Sequence, residues 1–214
     1  AGTSNTSALA FAGNAAGNTP GATESWNGSS WSEVNDLNIA GIYKGGAGTN
    51  TAALAFGGQP ASTVTEEFSE NTPTANTWST VNALNTARKY MAGFGTQSSA
   101  VSAGGGPGPG ALTELYNGTN WTEVNDLNTA RTNLSGAGAD STAGVSFGGN
   151  VAPKAQTELW NGTNWAEVND LNAGRQNAAG VGTSTAALIA GGEPPTNAFT
   201  ELWNGTNWTE VNDL

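Results

Sequence analysis

The sequence predicts an all-β fold, a five-bladed β-propeller of four-stranded antiparallel blades occupying residues 1–214 as one domain. Three observations predict it. The segment TELWNGTNWTEVNDL at Thr200–Leu214 recurs almost unchanged at Thr157–Leu171 and Thr113–Leu127, and more loosely at Thr23–Leu37 and Thr65–Leu84. The second aromatic of each copy (Trp31, Trp78, Trp121, Trp165, Trp208) returns at intervals of about 44 residues, a blade-sized period. Within each period four short apolar runs alternate with turn signals, while glycine and β-branched residues interrupt any 3.6-residue pattern. The units run approximately 1–37, 38–84, 85–127, 128–171 and 172–214.

Each element of a unit has its own signature. A first strand, poor in bulk, follows the L-N-x-x-R run (Leu84–Arg88, Leu127–Arg131, Leu171–Arg175) and suits a crowded centre. A polar turn then leads to an apolar second strand ending in a glycine pair, as in TAALAFGG to Gly58 and AGVSFGG to Gly149. A loop of Pro, Gly, Ala and Asn follows and differs in every copy. The third strand runs through T-E-L-[WY] into an Asn-Gly turn, where positive φ comes readily. The fourth is W-x-E-V, closed by N-D-L. In the first unit, Asn38–Gly45 of the next has no counterpart before Ala1, so its innermost strand is expected to be incomplete.

Composition excludes several chemistries. With no Cys and no His, disulfides, thiolate zinc sites, cysteine nucleophiles and histidine bases are absent. Six Lys+Arg against 17 Asp+Glu, a net charge of −11, argue against nucleic acid as a partner. No apolar run approaches the roughly 20 residues of a membrane helix, so no membrane insertion is expected. No D-x-[DN]-x-[DN]-G loop occurs; neither a metal site nor a cofactor is expected.

The Gly pair ending the second strand, the aromatic, the Trp one hairpin later and the closing L-N-x-A-R together resemble the kelch repeat. The likeness spans essentially the whole chain. It departs at Ala12-Gly13, which replaces the Gly pair, at Gly41, which stands where Arg is found elsewhere, and in having five units rather than six or seven. In texture the copies also resemble repeat-containing structural proteins of marine tailed phages. These resemblances imply a virion-associated or extracellular protein that binds partners on the face carrying the second-to-third-strand loops.

The aromatic pairs Trp26/Trp31, Tyr116/Trp121, Trp160/Trp165 and Trp203/Trp208 are expected to wedge between blades, because nearly every copy repeats them. Glu24, Glu66, Glu114, Glu158 and Glu201 hold one equivalent position, and pairing between it and the position of Arg88, Arg131 and Arg175 is expected. The outer-strand Glu33, Glu123, Glu167 and Glu210, with Asp36, Asp126, Asp170 and Asp213, are read as edge charges that oppose association. The sequons at Asn27, Asn117, Asn161 and Asn204 are read as turns. Variation between copies concentrates in the second-to-third-strand loops, which reads either as binding residues on a rigid scaffold or as loops drifting because nothing constrains them. The candidate ligand contacts are therefore Pro60, Ser62, Pro107, Pro109, Val151, Lys154, Pro194, Thr196 and Asn197, with Arg88, Arg131 and Arg175 as anchors. No catalytic residues are expected. The chain reads as a non-catalytic recognition module for a glycan or protein surface. The alternatives are a structural spacer or decoration domain and, third, a glycoside hydrolase drawing on the unrepeated Glu67, Glu70, Asp140 and Glu193.

Overall fold

A computed structural model describes residues 1–13, 21–71, 75–108, 110–193 and 198–214. Twenty strands and no helix occur among them, arranged as five four-stranded antiparallel sheets in ring order. Blade 1 contains β1 (Gly2–Ser4), β2 (Ser7–Phe11), β3 (Thr23–Trp26) and β4 (Trp31–Val34). Blade 2 contains β5 (Gly45–Gly48), β6 (Ala52–Phe56), β7 (Thr65–Asn71) and β8 (Ala75–Val81). Blade 3 contains β9 (Ala92–Thr96), β10 (Ser99–Ala103), β11 (Thr113–Tyr116) and β12 (Trp121–Val124). Blade 4 contains β13 (Ser135–Asp140), β14 (Ala143–Phe147), β15 (Thr157–Trp160) and β16 (Trp165–Glu167). Blade 5 contains β17 (Ala179–Thr183), β18 (Ala186–Ala190), β19 (Thr200–Trp203) and β20 (Trp208–Val211). The expected architecture is the observed one, and the first blade's innermost strand is indeed curtailed, to three residues with an irregular register.

The innermost strands β5, β9, β13 and β17 pack side by side around a central channel, which explains their lack of bulk. A Cβ added at Gly138 or Gly144 would come within 2.3 or 2.2 Å of the Phe94 ring on the neighbouring blade. Phe94 can be there only because those two residues are glycine.

The hydrophobic core lies between blades rather than within them. Trp203 and Trp208 of blade 5 pack with Val145, Phe147 and Leu171 of blade 4, and Trp160 and Trp165 of blade 4 pack with Phe94, Val101 and Leu127 of blade 3. Each hairpin sets its two aromatics directly opposite, as at Tyr116↔Trp121 and Trp160↔Trp165. The outer Trp then reaches across the junction. Nε1 of Trp78, Trp121, Trp165 and Trp208 donates to Oγ1 of Thr23, Thr65, Thr113 and Thr157 on the preceding blade, at 3.1, 3.0, 3.0 and 3.0 Å. The aromatics are wedges between blades. Burial of each contributes about 1.5–3 kcal/mol, and the hydrogen bond keeps the indole N–H from being stranded.

The Asn-Gly turns form as expected. Asn117 Oδ1 accepts from the N–H groups of Thr119 and Asn120, and Gly118 takes φ 87°. One expectation is corrected: Asp36, Asp126 and Asp170 are not simply edge charges. Their Oδ1 atoms accept the N–H of Thr23, Thr113 and Thr157 at 3.2, 3.2 and 3.1 Å and so close the outer hairpin.

Candidate functional site

The blade-to-blade links (the L-N-x-x-R runs) and the second-to-third-strand loops lie on one face of the ring. The hub of each junction is a buried carboxylate. Glu158 accepts from Arg131 Nη2 (3.0 Å), Asn128 N (2.7 Å), Asn128 Nδ2 (2.9 Å) and Thr129 N (3.3 Å). Glu114 with Arg88 and Asn85, and Glu201 with Arg175 and Asn172, repeat the arrangement. Arg131 Nη1 also donates to the carbonyls of Gly148 and Gln156, while its own carbonyl accepts from Gly105 of the preceding loop. Arg131 therefore stitches two neighbouring loops together, and Arg88 does the same through the carbonyls of Gly104 and Leu112 and the N–H of Gly58.

This corrects the expectation that Arg88, Arg131 and Arg175 anchor a ligand. Their exposures are 2%, 1% and 0%, and each guanidinium is ion-paired inside the framework with Glu114, Glu158 or Glu201. Blade 2 solves the same problem without an arginine. Gly41 stands in the link, and Lys44 Nζ donates instead to the Gly57 carbonyl at 3.3 Å. Burial pushes the Lys44 ammonium below its ordinary pKa, with nearby Glu66 opposing the shift.

Two residues beyond the arginine (or Gly41) the chain turns inward at the mouth of the channel. Tyr43, Tyr90, Asn133 and Asn177 hold this equivalent position, and all four are left-handed, with φ of 57°, 61°, 59° and 55°. Together with Lys44, Met91, Leu134, Ala178 and Glu193 they line a recess of about 450 Å³. Main-chain bonds tie them in an arc, Asn133 N to Tyr90 O at 2.8 Å and Asn177 N to Asn133 O at 3.0 Å. Asn133 Nδ2 donates to Asn177 Oδ1 at 2.7 Å. The Tyr43 and Tyr90 rings lie 4.5 Å apart at a 44° tilt, and Tyr43 is 43% exposed. Gln59 Oε1 accepts both the Tyr90 hydroxyl (2.9 Å) and Lys89 Nζ (3.1 Å). Lys89 Nζ also sits 4.9 Å from the centre of the Tyr90 ring, a cation–π contact.

A left-handed backbone costs a non-glycine residue about 1–2 kcal/mol, less for asparagine, whose short amide tolerates it. Asparagine is what two of the four positions carry. Tyrosine at the other two goes against local preference, and such strain is a pointer to function. The link position had a signal that was missed: among the copies it reads Tyr, Tyr, Asn, Asn, varying as the loops do.

The loop residues singled out from the sequence lie farther out on the same face. Pro60 and Pro107 are exposed, and Val151 and Lys154 are half-buried. Ser62 and Lys154 double as framework, since their carbonyls accept the N–H of Arg88 and Arg175 at 3.1 and 2.8 Å. None of these residues lines the recess. Pro109, Pro194, Thr196 and Asn197 lie outside the described residues. The four unrepeated carboxylates are dispersed. Glu67 accepts the Tyr116 hydroxyl at 2.9 Å and, after burial, is the cause of that hydroxyl's raised pKa. Asp140 closes a turn onto Thr142 on the opposite face, Glu70 is exposed on β7, and Glu193 edges the recess.

Among the described residues, no group of three or more acidic side chains is arranged to hold a metal ion, and no helix is long and apolar enough to cross a membrane. No known family model matches the chain, and no curated protein matches it.

Proposed function

We propose that this propeller is a non-catalytic recognition module of kelch-like type. It binds a glycan or a protein surface on the face that carries the loops and the channel mouth. The setting implied by the resemblance of its repeats is a virion or the extracellular space. The observation that carries the reading is the exposed Tyr43 ring packed at a tilt against Tyr90, both held in an unfavourable backbone conformation beside two asparagine amides. Aromatic faces pack against the apolar faces of sugar rings or against protein side chains, and amides supply directional hydrogen bonds. The non-catalytic part of the proposal is supported by the placement of the unrepeated carboxylates, which occupy different strands and faces rather than one pocket.

A glycan array probed with the folded chain and with Tyr43→Ala tests it. Binding to a defined family of sugars that Tyr43→Ala abolishes, with the fold intact, is the expected result. Binding that Tyr43→Ala leaves unchanged would refute the site. If no sugar binds, the glycan arm fails and the same pair of proteins serves in a protein-binding screen. If neither screen gives a ligand, the domain is a structural spacer.

A further inference from the structure

Every junction inside the chain is one contact used again. The outer-strand Trp of one blade bonds the Thr of the blade before it, against an apolar ledge that includes Phe11 for Trp78, Phe56 for Trp121 and Phe147 for Trp208, with ring centres 5.2, 4.9 and 4.9 Å apart. Four such junctions join blades 1 to 5. The fifth, which would set Trp31 of blade 1 on Thr200 of blade 5, is not made. Trp31 is 48% exposed, whereas its four counterparts are 5–6% exposed. Opposite it, Leu202, Val211 and Val181 of blade 5 are 44%, 36% and 61% exposed. Leu214 is 83% exposed although its N–H already bonds Ala198 O, as Leu171 bonds Ala155 O, and Leu171 is 5% exposed. Glu24 is exposed where Glu66, Glu114, Glu158 and Glu201 are buried.

These two open faces are the two complementary halves of the repeated interface. Blade 5 presents the threonine and the apolar ledge, and blade 1 presents the tryptophan. Four junctions bring blade 5 round to share the channel with blade 1, where Gly2 and Ser4 line it together with Val181 and Gly182. They do not close the ring.

We infer that the seam between blades 5 and 1 is a docking site for one further blade of this same repeat. That blade's outer Trp would donate to Thr200 Oγ1, and its apolar ledge would cover Trp31. A complete second copy fits poorly, because its remaining blades would overrun the ring it joins. The continuity of the interface is the argument: both halves are present, in register and uncovered.

The test is to append a second copy of residues 172–214 directly after Leu214 and compare it with the parent chain. Acrylamide quenching of Trp31 is read as the difference between each chain and its Trp31→Phe variant, with the mass in solution taken from sedimentation. The expected result has three parts: a monomeric parent with Trp31 freely quenched, an extended monomer in which quenching of Trp31 falls several-fold, and a higher urea midpoint. Trp208→Ala in the appended copy should reverse the gain. Three outcomes would overturn the inference. Trp31 already shielded in the monomeric parent means that the ring closes on itself. Shielding that appears only with dimerisation means that a second copy covers the seam. An appended repeat that proteolysis removes while Trp31 stays exposed means that the seam does not accept a blade.

Discussion

Replacing Glu158 with alanine removes the hub of the junction between blades 3 and 4, and the consequences can be counted. The carboxylate has no exposure and accepts four hydrogen bonds, one from Arg131, two from Asn128 and one from Thr129. Its loss leaves the Arg131 guanidinium, equally enclosed, without its ion-pair partner and with only the more distant Asp170 and Glu167 as countercharge, and that cost is about 3–5 kcal/mol. The two main-chain N–H groups released at Asn128 and Thr129 add to it, and water entering the vacated space recovers part, so a loss of about 4 kcal/mol is expected. With a urea m-value of about 2–3 kcal/mol/M, the midpoint falls by about 1.3–2 M, followed by tryptophan fluorescence and circular dichroism in parallel. Glu123→Ala on the exposed outer strand should move it by less than about 0.3 M. The double variant Arg131→Met/Glu158→Leu separates the terms. If the stranded charge dominates, the double variant recovers most of the loss; if the orphaned N–H groups dominate, it stays as unstable as Glu158→Ala. A Glu158→Ala midpoint within about 0.3 M of the parent would refute the junction as described.

Three further outcomes follow from the same framework. Trp165→Phe strands Thr113 Oγ1 and opens a small cavity, costing about 1.5–3 kcal/mol in urea melts, whereas Trp31→Phe at the open seam should change stability by less than about 0.5 kcal/mol. Gly148→Ala places a Cβ 2.5 Å from the Arg175 carbonyl at φ 71°, so a loss of about 2–4 kcal/mol is expected. Burial acts to raise the Glu201 pKa, but hydrogen bonds from Arg175 and Asn172 and the Arg175 charge outweigh it, leaving the carboxyl below its usual value. Its stabilising contribution is therefore complete above the unfolded value of about 4.3 and lost as pH falls through the folded one. Thermal melts from neutral to acid pH should show that decline, and Glu201→Gln should flatten it while lowering stability at neutral pH.

What could be read from the sequence was whatever repeats. Identical residues at identical spacing must meet identical surroundings, so the Trp wedges and the Arg–Glu pairs followed from periodicity and charge alone. Partners whose need is local and polar were harder to see. The Thr that receives each indole N–H and the Asp that closes each outer hairpin are ordinary strand residues until register places them. The mouth of the channel was hidden for another reason. Its residues are defined by a left-handed turn two positions after the arginine, and neither hydropathy nor charge marks that turn. The open seam is a sum over four junctions. It shows only when Trp31 of blade 1 is compared with its four buried counterparts, and no single repeat contains both sides of a junction.

The division of labour between the two faces bears on whether loop divergence is drift. On the face with the Asn-Gly turns, uniformity has a structural cause. Asn125 Nδ2 reaches Thr163 O and Asn164 Oδ1 of the next blade, and Asn169 does the same to Thr206 and Asn207, so each turn is a cross-blade tie. On the opposite face the ties run through the arginine links and loop carbonyls, and among the mouth side chains through Tyr90 to Gln59 and Asn133 to Asn177, while the Tyr43 ring stays 43% exposed. Freedom alone would let those positions drift toward what the backbone prefers, and at φ near 60° that is Gly or Asn. Asn133 and Asn177 fit drift. Tyr43 and Tyr90 do not, because each holds a bulky ring where the backbone opposes it, and the two rings pack against each other at a tilt at the channel mouth. Tyr90 has a duty in the fold, its hydroxyl bonding Gln59 of the preceding blade, so under the proposed function it is the exposed Tyr43 ring, more than the proline-rich loop tips, that the binding screen should test first.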